Sequence, residues 1–231
     1  MKAALNLMMV LLGLGLATLC PGQAINIDVQ MWTDSELGGD VPSDLFGAAS
    51  GQIGRWTPID VSHPGPFELY DVGGNLTSAT VYHPNWGNGG GWNNQDLSGD
   101  FRSLMADAED IGAGLDYQFS GLLPGWYDVW TYCGSASRGF SSETFVKVPG
   151  AIGQEEVRVA GTMPANYFVL NRSHSVHRVQ VIDGSLRILA RENWPDHRGY
   201  LTGFQLVPVP EPATILAFSV GIAALLRRRM L

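Results

Sequence analysis

One glycine-rich stretch, residues 82–96, holds the residue types that bind sugars, on a backbone with four glycines. Indole faces stack on the C–H groups of a pyranose ring, and side-chain amides hydrogen-bond its hydroxyls. We therefore predict a glycan-binding site made of Trp86, Asn88, Trp92, Asn93 and Asn94. The alternative is a long loop whose tryptophans fold back and cap the domain.

A second aromatic stripe and an acidic cluster are weaker candidates. Trp126, Trp130 and Tyr132 alternate with other residues and would share one face of a strand, where such stripes are more often core than binding surface. Five carboxylates within fifteen residues supply the oxygens that calcium prefers, although they lack EF-hand spacing and could be merely solvated. They are Asp96, Asp100, Asp107, Glu109 and Asp110. Calcium is thus a candidate, the metal site is unknown, and no other cofactor is indicated.

Catalytic motifs are missing from the sequence. It contains no Gly-x-Ser-x-Gly, no His-Glu-x-x-His and no phosphate-binding glycine loop. His174 and His177 lie three residues apart, which on a strand places them on opposite faces. We therefore predict a non-catalytic protein; the alternative is a hydrolase whose site no motif reveals.

The segments that must position these residues are typical of short strands. Apolar residues alternate with polar ones between turns rich in glycine and proline, in 25–31, 115–119, 127–133, 177–181, 186–190 and 204–206. Asp183-Gly184 between two such runs predicts a hairpin. One helix is predicted from about Gly99 to Ile111. The pattern indicates an all-β antiparallel sandwich with one short helix.

Charge and cysteine content narrow the class of partner. Between Ile25 and Pro208 we count ten basic and twenty-one acidic residues, a net charge of −11. Such a surface repels nucleic acid and anionic polysaccharide but accepts neutral glycans. The same segment has a single cysteine, Cys133, so no internal disulfide forms and Cys133 is expected to be a buried core residue.

The residue patterns at both chain ends are typical of targeting segments. Lys2, an apolar run from Ala3 to Leu19 and small residues at Gly22 and Ala24 predict a secretory signal, residues 1–24, that signal peptidase cleaves after Ala24. At the other end, residues 213–226 form an apolar run whose helix would rise about 21 Å, short of the roughly 30 Å hydrocarbon core. We expect it to be a short transmembrane helix, and the folded domain to span residues 25–207, because Pro208 should stop the last strand.

The tail resembles a known sorting signal. Pro210, Glu211 and Pro212 precede the apolar run, and Arg227, Arg228 and Arg229 follow it. This order is similar to the PEP-CTERM family, whose tail is also labelled an ice-binding-protein C-terminal domain. The resemblance implies cleavage by an exosortase-type membrane peptidase in a Gram-negative bacterium. The protein would pass transiently through the inner membrane and reach the cell surface or extracellular matrix.

The central segment is similar to passenger domains of such proteins. The opening strand, Gly47-Ala48-Ala49 before Trp56, residues 104–110, residues 121–129 and residues 201–206 carry this likeness. It implies a galactose-binding-like jelly roll between residues 25 and 207. We therefore expect an exported module that binds neutral extracellular polysaccharide, with a structural matrix protein lacking a soluble ligand as the other alternative.

Overall fold

The computed structural model describes residues 22–30, 40–84, 89–91, 97–112, 114–134, 142–161, 166–192 and 198–210. Residues 1–21 of the predicted secretory signal and the predicted helix at 213–226 lie outside these residues. Within the described ranges, no helix is both long enough and apolar enough to cross a membrane.

The described residues form thirteen strands and one short helix. In chain order these are β1 Ile25–Gln30, β2 Trp56–Asp60, β3 Phe67–Tyr70, β4 Leu76–Tyr82, β5 Gly89–Gly91, α1 Gly99–Met105, β6 Asp107–Asp110, β7 Leu115–Ser120, β8 Gly125–Cys133, β9 Glu143–Lys147, β10 Glu156–Ala160, β11 His174–Val181, β12 Leu186–Glu192 and β13 Tyr200–Val209.

Two sheets pack face to face. Sheet A has the order β11-β8-β13-β1-β2, with β6 paired to β13 and β5 to β6, and sheet B has the order β10-β9-β12-β7-β4-β3. The named strands pair antiparallel, except for β1 with β2. The predicted antiparallel sandwich with one short helix is confirmed.

The alternation of apolar residues explains the core. In β1, Ile25, Ile27 and Val29 are fully buried between the sheets, against residues such as Phe204 and Tyr117. A second, smaller apolar cluster joins α1 to Trp56 and Tyr132. Because it includes Tyr132, which alternates with the inward-facing Cys133 on β8, this cluster covers the outer face of sheet A.

Three sequence expectations differ from the structure. The predicted helix ends at Met105, and the next four residues form β6 because they pair with β13 and β5, which local propensity does not report. Asp183-Gly184 joins β11 of sheet A to β12 of sheet B, so it turns the chain between layers and does not close a hairpin. Strand β13 runs through Pro208 to Val209, because its pairing with β1 ends at Leu206 and a proline is tolerated where one neighbour is missing.

Strand β13 connects the two ends of the sandwich. Its last residues, Pro208 and Val209, pair with Tyr127 and Trp126 of β8. The backbone N–H of Gln23 donates a hydrogen bond to the Tyr127 hydroxyl at the same end. We call this end the chain-end pole, because both ends of the described domain meet there. The first residues of β13 pair with β6 and so with β5; this end is the loop pole. The ten residues of β13 separate the poles by about 30 Å.

Candidate functional site

The predicted glycan-binding stretch joins the sandwich through β5. Gly89, Gly90 and Gly91 pair with Glu109, Ala108 and Asp107 of β6. The predicted site residues Trp86, Asn88, Trp92, Asn93 and Asn94 lie outside the described residues, so the site stays a prediction. In the chain, Trp92 directly follows β5.

Four ionisable side chains are buried at the loop pole. Asp28, His83 and Glu109 are fully buried, and Asp107 is 1% exposed. Among the described residues, Asp28 Oδ1, both ring nitrogens of His83, both oxygens of Asp107 and Glu109 Oε1 have no hydrogen-bond partner. Buried polar atoms are nearly always bonded in native proteins, so this concentration is unusual.

Burial changes the protonation of these groups. It raises the pKa of Glu109 to about 8, and together with the nearby charges of Asp28 and Asp40 it raises the pKa of Asp107 to about 10. Burial lowers the pKa of His83 to about 4. At neutral pH both carboxyls are therefore mainly protonated and the imidazole is neutral. The 3.6 Å approach of His83 Nδ1 to Glu109 Oε1 thus joins neutral groups and is not an ion pair.

The surroundings of Glu109 hold it in place. The Tyr117 hydroxyl donates to Glu109 Oε2, and the His83 ring stacks on the Tyr117 ring with centroids 5.1 Å apart. Perturbed pKa values often mark functional sites, but these side chains are closed off from solvent. We therefore assign them no catalytic step.

The sequence did not reveal these buried ionisable groups. Asp107 and Glu109 fall in the segment predicted as a helix, where acidic residues read as a solvated face. The available signal was the alternation of Asp107, Ala108 and Glu109 after Met105, which fits a strand.

The carboxylates predicted to bind calcium are dispersed. Both oxygens of Asp100 accept from the backbone N–H and hydroxyl of Ser43, and Asp110 Oδ1 accepts from Gly112 N–H at 3.2 Å. Asp96 lies outside the described residues. Across the described ranges, no three histidine, cysteine, aspartate or glutamate side chains are grouped so that they could hold a metal ion.

The aromatic stripe on β8 divides into a buried and a half-buried part. Tyr132 is fully buried, and its hydroxyl bonds Gln205 Oε1 and Ala49 N–H, so it is a packing residue. Trp126 and Trp130 are half-buried on the same outer face. The His174 ring stacks on Trp130 at 5.1 Å. Trp130 also packs against the smaller apolar cluster, and Trp126 pairs with Val209 at the chain-end pole.

Cys133 is a core residue, as expected. It is fully buried, and burial raises the pKa of its thiol well above the usual range. A neutral buried thiol is a poor nucleophile, so it offers no catalytic group.

The predicted processing sites lie at the chain-end pole or beyond it. The carbonyl of Ala24 accepts from Val72 N–H at 2.9 Å, and the next residue begins β1. Pro210 is exposed and directly follows β13. The rest of the predicted sorting motif, Glu211, Pro212, Arg227, Arg228 and Arg229, lies outside the described residues.

The chain is distantly similar to several solved structures. A Bacillus subtilis protein, YxiM, is 12% identical, with 81% of this chain and 40% of that chain covered and a TM-score of 0.44. TmCBM61, whose structure was solved in complex with β-1,4-galactotriose, is 17% identical. The likeness covers 45% of this chain and 72% of TmCBM61, with a TM-score of 0.29. A Podospora anserina GH26-CBM35 β-(1,4)-mannanase is 16% identical, with 65% and 28% covered and a TM-score of 0.30. The chain spans less than half the length of YxiM, and likenesses of this size assign no activity.

Comparison with family models gives a specific result for the tail. No curated protein matches the chain. The family model of the PEP-CTERM protein-sorting motif matches residues 208–229, which include the Pro-Glu-Pro triplet, the apolar run and the three arginines. Residues 208–229 are therefore a PEP-CTERM protein-sorting motif.

Proposed function

We propose that this protein is an exported cell-surface or extracellular-matrix protein whose β-sandwich is a non-catalytic module for neutral carbohydrate. A PEP-CTERM motif implies processing by an exosortase and export through the membrane. The segment that we propose binds carbohydrate is the one that contains β5.

The observation that carries the proposal is the pairing of β5 with β6 at the loop pole. This pairing attaches β5, the described part of the tryptophan- and asparagine-rich segment, to β6 beside the first residues of β13, and β13 ends next to the sorting tail. While the tail is held at the membrane, the opposite pole is free to meet an extracellular polymer. Stacking on Trp86 and Trp92 and hydrogen bonds from Asn88, Asn93 and Asn94 would then supply the affinity.

The charge of the domain supports a neutral ligand. With a net charge of −11 between Ile25 and Pro208, an anionic polysaccharide would be repelled. Stacking and hydrogen bonding to an uncharged glycan carry no such penalty. We therefore expect binding that changes little between low and moderate salt.

Retention on insoluble neutral polysaccharides tests the proposal. We expect the exported protein to be retained, and the double variant Trp86→Ala, Trp92→Ala to lose at least tenfold in affinity. Trp126→Ala is the matched control at the other pole, and it should bind as the unmodified protein does once its melting temperature shows that it is folded. Full retention by the double variant would reject the site.

The same experiment separates the two alternatives. A matrix protein without a soluble ligand would be retained on none of the polymers. A hydrolase would release soluble sugars or acyl groups during the incubation, which the supernatant would show. Either result would contradict the proposed module.

A further inference from the structure

The residues just before β1 belong to the folded domain. The backbone N–H of Gln23 donates to the Tyr127 hydroxyl at 2.9 Å, and Gln23 Oε1 accepts from Leu123 N–H at 3.1 Å. The Tyr127 hydroxyl in turn donates to the Leu123 carbonyl at 2.8 Å. One residue later, the carbonyl of Ala24 accepts a hydrogen bond from the backbone N–H of Val72. The domain therefore begins at or before Gln23, two residues before its first strand.

Cleavage after Ala24 would damage this arrangement. It would place a new α-ammonium group on Ile25, which is fully buried and paired with Leu206. An α-amino group has a pKa of about 8 and is charged at neutral pH, and burying such a charge is strongly unfavourable unless it is paired. The cut would also remove Gln23, the acceptor of the Leu123 N–H.

The leader sequence permits a second cut that avoids both effects. Signal peptidase requires small residues one and three positions before the bond it cleaves. Gly22 and Ala24 satisfy this for the bond after Ala24, and Cys20 and Gly22 satisfy it equally for the bond after Gly22. The pattern allows both bonds, and the contacts of Gln23 favour the second.

We propose that the leader is removed at the Gly22–Gln23 bond and that Gln23, as the new first residue, closes to pyroglutamate. This inference rests on the export half of the proposed function and not on carbohydrate binding. It makes Gln23 a modification site at the chain-end pole.

The closure needs no co-reactant. The free α-amino nitrogen of Gln23 attacks its own side-chain amide carbon, Cδ. A Cδ–N bond forms, the Cδ–Nε2 bond breaks, and the side-chain nitrogen leaves as ammonia with the proton that the α-amine gives up. The product is an uncharged five-membered lactam.

The lactam fits the hydrogen bonds that Gln23 already makes. It keeps one N–H and one carbonyl oxygen on the same edge of the ring. The N–H can still donate to the Tyr127 hydroxyl and the oxygen can still accept from Leu123 N–H, while the bonds described for Gln23 do not use the departing Nε2. Closure also removes a positive charge from a half-buried corner.

Mass spectrometry of the exported protein tests this inference. The full chain, expressed with its own leader in an exporting host, should yield an N-terminal peptide that starts at residue 23, is lighter by one ammonia and resists aminopeptidase. Gly22→Arg should abolish this start, whereas Ala24→Arg should leave it unchanged. Gln23→Ala should give a free amine at residue 23 and a lower melting temperature.

Other N-terminal residues or masses would contradict this proposal. A wild-type start at Ile25 or at Met1 overturns the processing site, and a start at Gln23 with its full mass overturns the closure. Polysaccharide retention measured on the same material reports separately on the proposed function. Retention with a start at Ile25 would reject this inference alone.

Discussion

At the chain-end pole, Gln23, Leu123 and Tyr127 hydrogen-bond one another, whereas at the loop pole Asp28 Oδ1, both His83 ring nitrogens and both Asp107 oxygens have no hydrogen-bond partner among the described residues. The first set of groups is uncharged and hydrogen-bonded. The second is buried, ionisable and mainly neutral only because burial shifts its pKa values.

The difference separates a structural end from a candidate functional end. Hydrogen bonds between amide groups and a phenol stabilise the fold equally at pH 5 and pH 8, because neither kind of group ordinarily changes its charge in that range. A buried, partnerless carboxyl stabilises nothing on its own and makes stability depend on pH. The predicted glycan-binding segment is attached to the second end, through β5.

The largest expected effect concerns Asp107. At pH 8 its carboxyl must take up a proton on folding, since burial raises its pKa to about 10. Asp107→Asn needs no proton and should raise the free energy of unfolding at pH 8 by about 2–4 kcal/mol, measured by denaturant titration.

The matched control for that variant is Asp116→Asn. Asp116 is paired with Arg187 at 2.7 Å on the surface, so its loss should cost about 1 kcal/mol or less. If Asp107→Asn destabilises instead, and a chelator lowers the melting temperature of the unmodified protein, then a bound cation and not a proton satisfies Asp107.

Glu109 should make stability fall between pH 6.5 and 8. Its pKa is raised to about 8 in the folded state, so the folded protein binds more protons than the unfolded chain and loses stability as pH rises toward 8. Burial lowers the pKa values of His83 and His174 to about 4, so these residues make stability rise with pH. That rise is complete above pH 6.5 and does not affect the window from 6.5 to 8. Glu109→Gln should reduce the decline by about 1–2 kcal/mol, and an unchanged decline would contradict the account.

The chain-end corner should behave differently. Tyr127→Phe removes the hydroxyl that joins Gln23 to Leu123, and it should lower the free energy of unfolding by about 1–2 kcal/mol, equally at pH 5 and pH 8. Tyr82→Phe, at an exposed tyrosine, should change it by less than about 0.5 kcal/mol. A loss that depends on pH would remove the contrast between the poles.

The smallest effect is expected on the surface of sheet A. Arg178 makes two bonds to Asp128, each 2.8 Å, from an exposed position. Arg178→Ala should lower the free energy of unfolding by less than about 1 kcal/mol, and by less still in high salt. A larger loss of unfolding free energy would show that this surface ion pair stabilises the domain as much as the buried groups at the two poles.

The sequence predicted the fold where one face of a strand is buried. Alternation located β1, β7 and β8 to within about two residues, because one face of each strand contacts the core. It failed at residues 107–110, where pairing with distant strands decides the structure, and at Asp183-Gly184, where a turn signal does not say which sheet receives the next strand.

The candidate site was predicted only in its sequence-local part. Tryptophans and asparagines within a few residues of one another are visible in the chain. The buried side chains of Asp28, His83, Asp107 and Glu109 come from segments far apart in sequence, so no local pattern predicts that they are buried near one pole. The division of aromatic residues on β8 likewise depends on α1 and Phe168, which cover Tyr132.

Hydrogen exchange, measured with and without a bound neutral polysaccharide, tests whether the glycan binds at the loop pole. If the sandwich binds glycan at the loop pole, amide exchange should slow in residues 85–96 and in β6, with no change in residues 22–25, 123–127 and 207–209. Slower exchange at the chain-end pole, or none anywhere while the polymer is retained, would contradict it.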